Sequence, residues 1–269
     1  MTGVPPTAHF ASLVHGPAGV ALDDPAECFH EASRLYPHVA PDRLEILQRL
    51  AGGDLAETVA RSSRTHDHRP AVELPPPAPL RGPLGEVIAR RRSACPEVMR
   101  PLRVGELSTL LAASYASGVQ RGGGLRRPVP SAGALYPLEV YVIAIAVTGL
   151  GRGVYHYQPF RRRLAALGPV GFDDLRAALV EPRLAEVTAA LMVVTGVFWR
   201  SRFKYGQRGY RFALLEAGHL VQNAVLAAAD LDLAALPVGG FHDRRLDDLV
   251  GADSLGEAAL YALVLGGSP

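Results

Sequence analysis

Lys204 is the only lysine among the 28 Lys+Arg residues of this chain; the others are all arginine. Such a bias suggests an Arg-rich coding background in which most surface lysines have become arginines. The one lysine left then marks a position where a guanidinium does not serve. An ammonium is a compact charge on a flexible stem, and its pKa moves on burial, whereas a guanidinium is a planar fork that stays charged. Lys204 stands in the run Phe203-Lys204-Tyr205-Gly206-Gln207-Arg208-Gly209-Tyr210-Arg211, just ahead of a long apolar helical pattern. A lysine that can lose its proton, beside a tyrosine, offers a general base. The plainer alternative is a chance lysine in a solvated turn.

Three other segments carry residue types suited to a ligand. Arg90-Arg91-Arg92-Ser93 ends a helical pattern, and adjacent arginines there can pair with a phosphate through bidentate, charge-assisted bonds. Pro130-Ser131-Ala132-Gly133-Ala134-Leu135-Tyr136-Pro137 has small residues in series, which let a backbone approach a flat or phosphorylated ligand closely. Its Pro-Ser start can open a helix whose free N–H groups face an anion. Pro237-Val238-Gly239-Gly240-Phe241 follows a strand, where paired glycines can set backbone amides against a ring. Each has a plain reading too: a solvated face, a packing turn and a strand-to-helix turn. Gly149-Leu150-Gly151-Arg152-Gly153 leads into a strand rather than a helix, so it reads as a hairpin turn and not a dinucleotide loop.

The elements that must position these residues alternate. Helices are expected at Leu84 to Arg92, Val104 to Ser117, Phe172 to Leu179, Gln207 to Leu231 and Asp243 to Val250. Strands are expected at Glu139 to Val147, Gly153 to Tyr157, Ala190 to Phe198 and Ala258 to Leu265. The long helix carries a face at helical spacing, Phe212, Leu215, His219, Gln222 and Leu226. Gln222 and Asn223 are polar within an apolar pattern, and Glu216 and His219 stand one turn apart as a candidate structural pair. These elements predict an α+β domain with a small central mixed sheet and one long central helix. Residues 1–72 read as a mainly helical extension, with helices from Pro25 to Leu35 (Asp24 as N-cap) and from Pro41 to Leu50. Residues 73–83 are a proline-rich extended linker, and 84–269 form the main domain.

Composition limits the function classes. A net charge of +2 gives no reason to expect nucleic acid. Cys28 and Cys95 make neither a disulfide framework nor a zinc spacing, and His66-x-His68 in a polar stretch reads as solvated, so no metal site is expected. No signal segment is visible at the N-terminus, and no apolar run approaches the ~18 residues of a membrane span. A cytoplasmic protein, not bound to a membrane, is the expectation.

Taken together, the segments RRS, PSAGALYPLEVYV, GVYHY, FKYGQRGYRFALLEAGHLVQNAVLAAA and VGGF resemble the SagB-type branch of the FMN-dependent nitroreductase superfamily. That branch contains the azoline dehydrogenases of thiazole/oxazole-forming peptide pathways. The resemblance covers roughly Leu84 to Gly267, and Phe29 to Pro37 looks like the N-terminal part of such proteins. It implies a homodimer with FMN between subunits, a peptide substrate bearing azolines and a cyclodehydratase partner. It also implies that Arg91 and Ser93 contact the FMN phosphate and ribityl chain and that Pro130, Ser131, Ala132, Gly133 and Ala134 lie beside the flavin. Gly239 and Gly240 then set a backbone amide against flavin N5. Gln222 and Asn223, polar inside the apolar helix, are expected either to bond across the dimer or to backbone near the flavin, or to form a core amide pair. Lys204 and Tyr205 match the pair regarded as catalytic.

Two departures stand out. A basic residue is usual two positions after Ser93, where this chain has Cys95, and the sequence ends at Gly266-Gly267-Ser268-Pro269 without a basic segment. Phosphate charge is then expected from Arg90, Arg126, Arg127 or Arg208. Either Tyr205, with Lys204 favouring its phenolate, or a desolvated Lys204 is the expected base. An NAD(P)H-dependent flavin or nitroreductase, and a scaffold that docks partner enzymes, are the other two readings.

Overall fold

The computed structural model describes residues 24–36, 58–59, 62–119 and 125–267. The helix expected over Pro41 to Leu50 lies outside the described residues. A seven-stranded sheet forms the central layer, built from β1 (Ala71–Glu73), β5 (Leu138–Ala144), β7 (Gly153–Gln158), β8 (Arg163–Gly168), β9 (Ala190–Val197), β10 (Ala234–Val238) and β11 (Glu257–Gly266). Their order across the sheet is β1-β8-β7-β5-β9-β11-β10. Every pairing in it is antiparallel. The sheet is therefore larger than expected and is not mixed. Parallel pairing is confined to a separate two-stranded unit of β2 (Leu102–Arg103) and β6 (Val147–Thr148), while β3 (Gly118–Val119) and β4 (Leu125–Arg126) form an antiparallel pair.

The central strands are apolar on both faces because both faces are covered. Leu138, Val140 and Val142 of β5 enter one core, with Met192 and Val194 of β9, and Leu263 and Leu265 of β11. Tyr141 and Ile143, with Leu191, Val193 and Val264, enter the other. Each fully buried aliphatic side chain contributes about 1.5–3 kcal/mol, and this two-sided burial is what the near-continuous apolar runs encode.

The first core is roofed by α3 (Val104–Tyr115) and by α7 (Arg208–Asp230), the expected long helix. By length and composition alone α7 could cross a membrane, but half of its apolar window is buried in the fold. The second core is roofed by α4 (Phe172–Ala178) and α8 (Asp243–Val250). Smaller helices are α1 (Pro25–Ala32), α2 (Leu84–Arg90), α5 (Leu184–Val187) and α6 (Trp199–Tyr205). Asp24 caps α1 as expected, accepting a bond from the Ala26 N–H at 2.8 Å.

The proline-rich segment is extended, as its prolines require, and it is tied to the domain. The amide of Ala78 donates to Thr109 Oγ1, and those of Arg81 and Gly82 donate to the Asp230 carboxylate. Just before it, Ala71–Glu73 already pairs with Ala165–Arg163 at the sheet edge.

Candidate active site

Lys204 and Tyr205 sit in the last turn of α6, a seven-residue helix that the long helical pattern did not reveal. The chain leaves α6 through Gly206, at φ 55° and ψ −136°, a region that only glycine enters at low cost. Both side chains are half-buried. The Tyr205 ring packs edge-on against Phe212 of α7, with centroids 5.0 Å apart. Lys204 Nζ stands 5.5 Å from the centroid of the Tyr205 ring.

The small-residue segment faces this pair. A Cβ placed on Gly133 would lie 2.6 Å from Tyr205 Oη and 3.0 Å from Lys204 Nζ. Gly133 has φ 63°, and two non-glycine neighbours, Ala134 and Tyr136, also have positive φ. Backbone strain of this kind persists where the surroundings over-determine it. Ser131 Oγ is the local clamp, accepting from the Tyr136 N–H at 2.9 Å. Ala132–Ala134 forms a single 3-10 turn, so the helix expected to open at Pro130-Ser131 is absent.

Behind the turn lies a buried polar cluster. Glu216 of α7 accepts from Tyr115 Oη at 3.0 Å, and Tyr115 Oη accepts from the Leu138 amide. Burial pushes the Glu216 carboxyl up to about 7, against the opposing pull of bonds from Ser131 and Tyr115 and of the Arg127 charge. Arg127 is 5% exposed and stacks on Tyr115, with its guanidinium carbon 4.1 Å from the ring centroid. Among the described residues its Nε and Nη1 have no hydrogen-bond partner. The expected Glu216–His219 pair does not form, because Glu216 points inward to Tyr115 while His219 is exposed.

The arginine run lies at the other end of α7. Arg90, Arg91 and Arg92 line a cleft of about 810 Å³ with Cys95, Val225 and Asp232. Arg90 reaches Asp232 at 3.5 Å. Ser93 is exposed, and the Ala94 amide donates to the Ala235 carbonyl, which lays this segment along β10. Gly239 and Gly240 follow at the end of the same strand, roughly 13 Å further on at strand rise. Both are exposed, and a Cβ on Gly239 would meet nothing within 4 Å. The candidates thus fall into two groups: Arg90–Ser93 with Gly239–Gly240 along β10, and the Gly133 turn with Lys204–Tyr205 at the start of α7.

The remaining candidates belong to neither group. Arg208 donates to the Ser33 carbonyl at 3.3 Å, and Arg211 to Ser33 Oγ and the His30 carbonyl. Both arginines therefore cap the C-terminal end of α1, which also packs Phe29 on Tyr210. Gln222 is exposed on α7, Asn223 bonds the Pro128 carbonyl, and Arg126 is exposed.

A second charged cluster is buried in the other core. The Glu139 carboxylate accepts from Arg200 Nη2 at 2.7 Å and from the Arg64 amide at 2.8 Å, and it lies 2.9 Å from His156 Nε2. Burial alone raises its pKa, but the His156 bond and the Arg200 charge outweigh this and hold it at about 2. Glu257 takes Arg64 Nε at 2.9 Å and hydroxyl bonds from Tyr141 and Thr195. His66 packs edge-on against His156 and is pushed down to about 4, chiefly by burial. Sequence reading missed Tyr115, Glu139 and Arg200. The only signal was a polar residue at an otherwise apolar position, as with Glu139 at the head of the β5 run.

Comparison with known proteins follows the same lines. A profile described as the nitroreductase family matches residues 88–267. A protein of Methanocaldococcus jannaschii that carries the nitroreductase name is 36% identical over 169 residues, 62% of this chain and 83% of its own length. The microcin B17-processing protein McbC of Escherichia coli is 34% identical over 151 residues, 54% of this chain. The trifolitoxin-processing protein TfxB of Rhizobium leguminosarum is 32% identical over 158 residues. The matches span 55% of McbC and 41% of TfxB. Among solved structures, a nitroreductase-named protein of Anabaena variabilis superposes with a TM-score of 0.67 at 28% identity, covering 89% of this chain and 45% of that one. A chain of the E. coli microcin synthetase McbBCD complex, bound to truncated pro-MccB17, shares the fold with a TM-score of 0.58 at 24% identity, covering 93% and 98%. From its profile match, its long central helix over an antiparallel sheet and these relatives, the chain belongs to the nitroreductase family.

Proposed function

We propose that this protein is an FMN-dependent dehydrogenase that oxidises thiazoline or oxazoline rings of a ribosomally made peptide to the aromatic azoles. The observation that carries the reading is the Lys204–Tyr205 pair, held side by side against the Gly133 turn in a nitroreductase fold. The peptide-processing names of McbC and TfxB support it, and the McbBCD complex supports a cyclodehydratase partner.

The residues present fit FMN. The arginine-lined cleft suits its phosphate, the exposed backbone at Gly239–Gly240 suits its ring, and the buried Arg127, whose Nε and Nη1 have no partner among the described residues, offers a further cation behind the turn. When bound, FMN supplies the two-electron acceptor for the oxidation. The chain itself must supply position and a base. Aromatising the ring removes a proton from one ring carbon and a hydride from the other. Lys204 Nζ or Tyr205 Oη takes the proton, and the turn at Gly133 leaves both atoms clear of any side chain at that position. A neutral amine can do this; an arginine at position 204 could not.

The arginine run and the Lys204–Tyr205 pair lie at opposite ends of α7, with Gly239–Gly240 at the far end of β10, which runs back along the helix; an exposed stripe of Leu214, Leu215, Gly218, His219 and Gln222 lies along α7 between the two ends. We place a homodimer contact on this stripe, joining the Lys204–Tyr205 end of one protomer to the arginine and glycine strip of its partner.

Purified protein should reconstitute with FMN to give a flavin spectrum, and with an azoline peptide in air should produce the loss of two hydrogens per ring. Rapid flavin reduction by NAD(P)H with no peptide oxidation would instead support a small-acceptor reductase. A colourless protein that cannot be reconstituted would support a docking scaffold.

A further inference from the structure

The ion pair between Glu139 and Arg200 links the two backbone segments that create the Lys204 environment. Arg200 belongs to α6 and stands one turn before Lys204, so the two side chains share a helix face. Glu139 is the second residue of β5, the strand that leaves the Gly133 turn, and stands three residues after Tyr136. A helix of seven residues does not hold its own orientation in water. Beside the backbone bond from the Phe198 N–H to the Gly256 carbonyl at its N-cap, α6 is tied to the sheet by a side-chain bond from Arg200 Nη2 to Glu139 Oε1, at 2.7 Å. Glu139 is itself immobilised by His156, the Arg64 amide and Ser63 Oγ. Both side chains of the pair are almost wholly buried, at 5% and 2% exposure. Rotation of α6 that releases Arg200 must carry Lys204 and Tyr205 away from Gly133.

We propose that the Glu139–Arg200 pair is the positioning device for Lys204 and Tyr205: it sets α6 against the Gly133 turn and thereby places the base. Neither residue touches substrate; both act through α6. The kinetic part of this proposal rests on the azoline-dehydrogenase reading, while the geometric part does not.

The chain offers an unusual probe, because Lys204 is its only lysine. Reductive methylation of the full-length protein, followed by peptide mass spectrometry, reads the accessibility of one side-chain amine. Glu139→Gln should raise the methylation rate of Lys204 severalfold and lower kcat for azoline oxidation about tenfold or more, with KM little changed. Arg200→Gln should do the same and serves if the first variant does not fold. Glu257→Gln disturbs the neighbouring buried carboxylate without touching Arg200, and should leave both readings near those of the unaltered protein. An unchanged Lys204 rate in Glu139→Gln and Arg200→Gln, or an equal rise in Glu257→Gln, overturns the proposal. If the methylation pattern holds but the unaltered protein oxidises no azoline, the positioning stands and the azoline reading falls. If azolines are oxidised but the methylation pattern is absent, the reverse is true.

Discussion

Glu139 and Glu216 are buried to the same degree, 2% exposed, in the two cores on either side of the sheet, yet one is held at about 2 and the other is pushed to about 7. Burial acts on both in the same direction. The difference lies in the partners. Glu139 has a guanidinium and a backbone amide donating to it and an imidazole beside it, whereas Glu216 has hydroxyl donors and a stacked arginine that does not pair with it. A carboxylate given cations behaves as a fixed structural charge. A carboxylate given only hydroxyls stays poised to gain or lose a proton near neutrality, and this one lies behind the turn that faces Lys204.

Removing the fixed charge should have the largest effect. Glu139→Ala leaves Arg200 buried and unpaired, and should cost about 3–5 kcal/mol of unfolding free energy in urea titration. A loss within the range of ordinary surface substitutions would show that Arg200 finds another partner.

The poised carboxylate gives a smaller effect with a distinct pH signature. The folded pKa of Glu216 is raised, so its contribution is complete below the unfolded value of 4.5 and is lost as pH rises through about 7. Thermal unfolding from pH 4.5 to 7.5 should show the unaltered protein losing on the order of 3 kcal/mol relative to Glu216→Gln. The Glu139 contribution runs the other way: present above 4.5, it is lost only as pH falls towards about 2. A Glu216→Gln protein with the same pH profile as its parent would erase the contrast.

The smallest stability effect is expected at the turn. Gly133→Ala places a methyl group 2.6 Å from Tyr205 Oη and 3.0 Å from Lys204 Nζ, at a positive φ. It should cost about 1 kcal/mol or more in stability, and should slow azole formation far more than that loss accounts for. Equal activity in this variant would separate the turn from the site.

The same contrast marks what the sequence made legible. The central strands could be read because burial on both faces leaves long apolar runs, and α7 because its spacing is regular. The edges were harder. A strand was expected ahead of Pro237, but β10 runs on through Pro237 to Val238, because the strand lies at the sheet edge, where a missing N–H is tolerated. α6 has Phe198 as its N-cap, with no side-chain capping bond, so nothing announces it. Lys204, Tyr205 and Gly133 were visible as residue types, and the fold brings them together. The partners of Glu216 and Glu139 were not visible: Tyr115 is 101 residues from Glu216, and Arg200 comes from a helix that left no pattern.

The central claim is that Lys204 and Tyr205 supply the base. The direct measurement is the loss of two hydrogens from an azoline peptide, followed by mass spectrometry, with Lys204→Ala and Tyr205→Phe proteins that have been shown to hold FMN. The account predicts that flavin is retained and azole formation is abolished in at least one of the two. Full activity in both would contradict it.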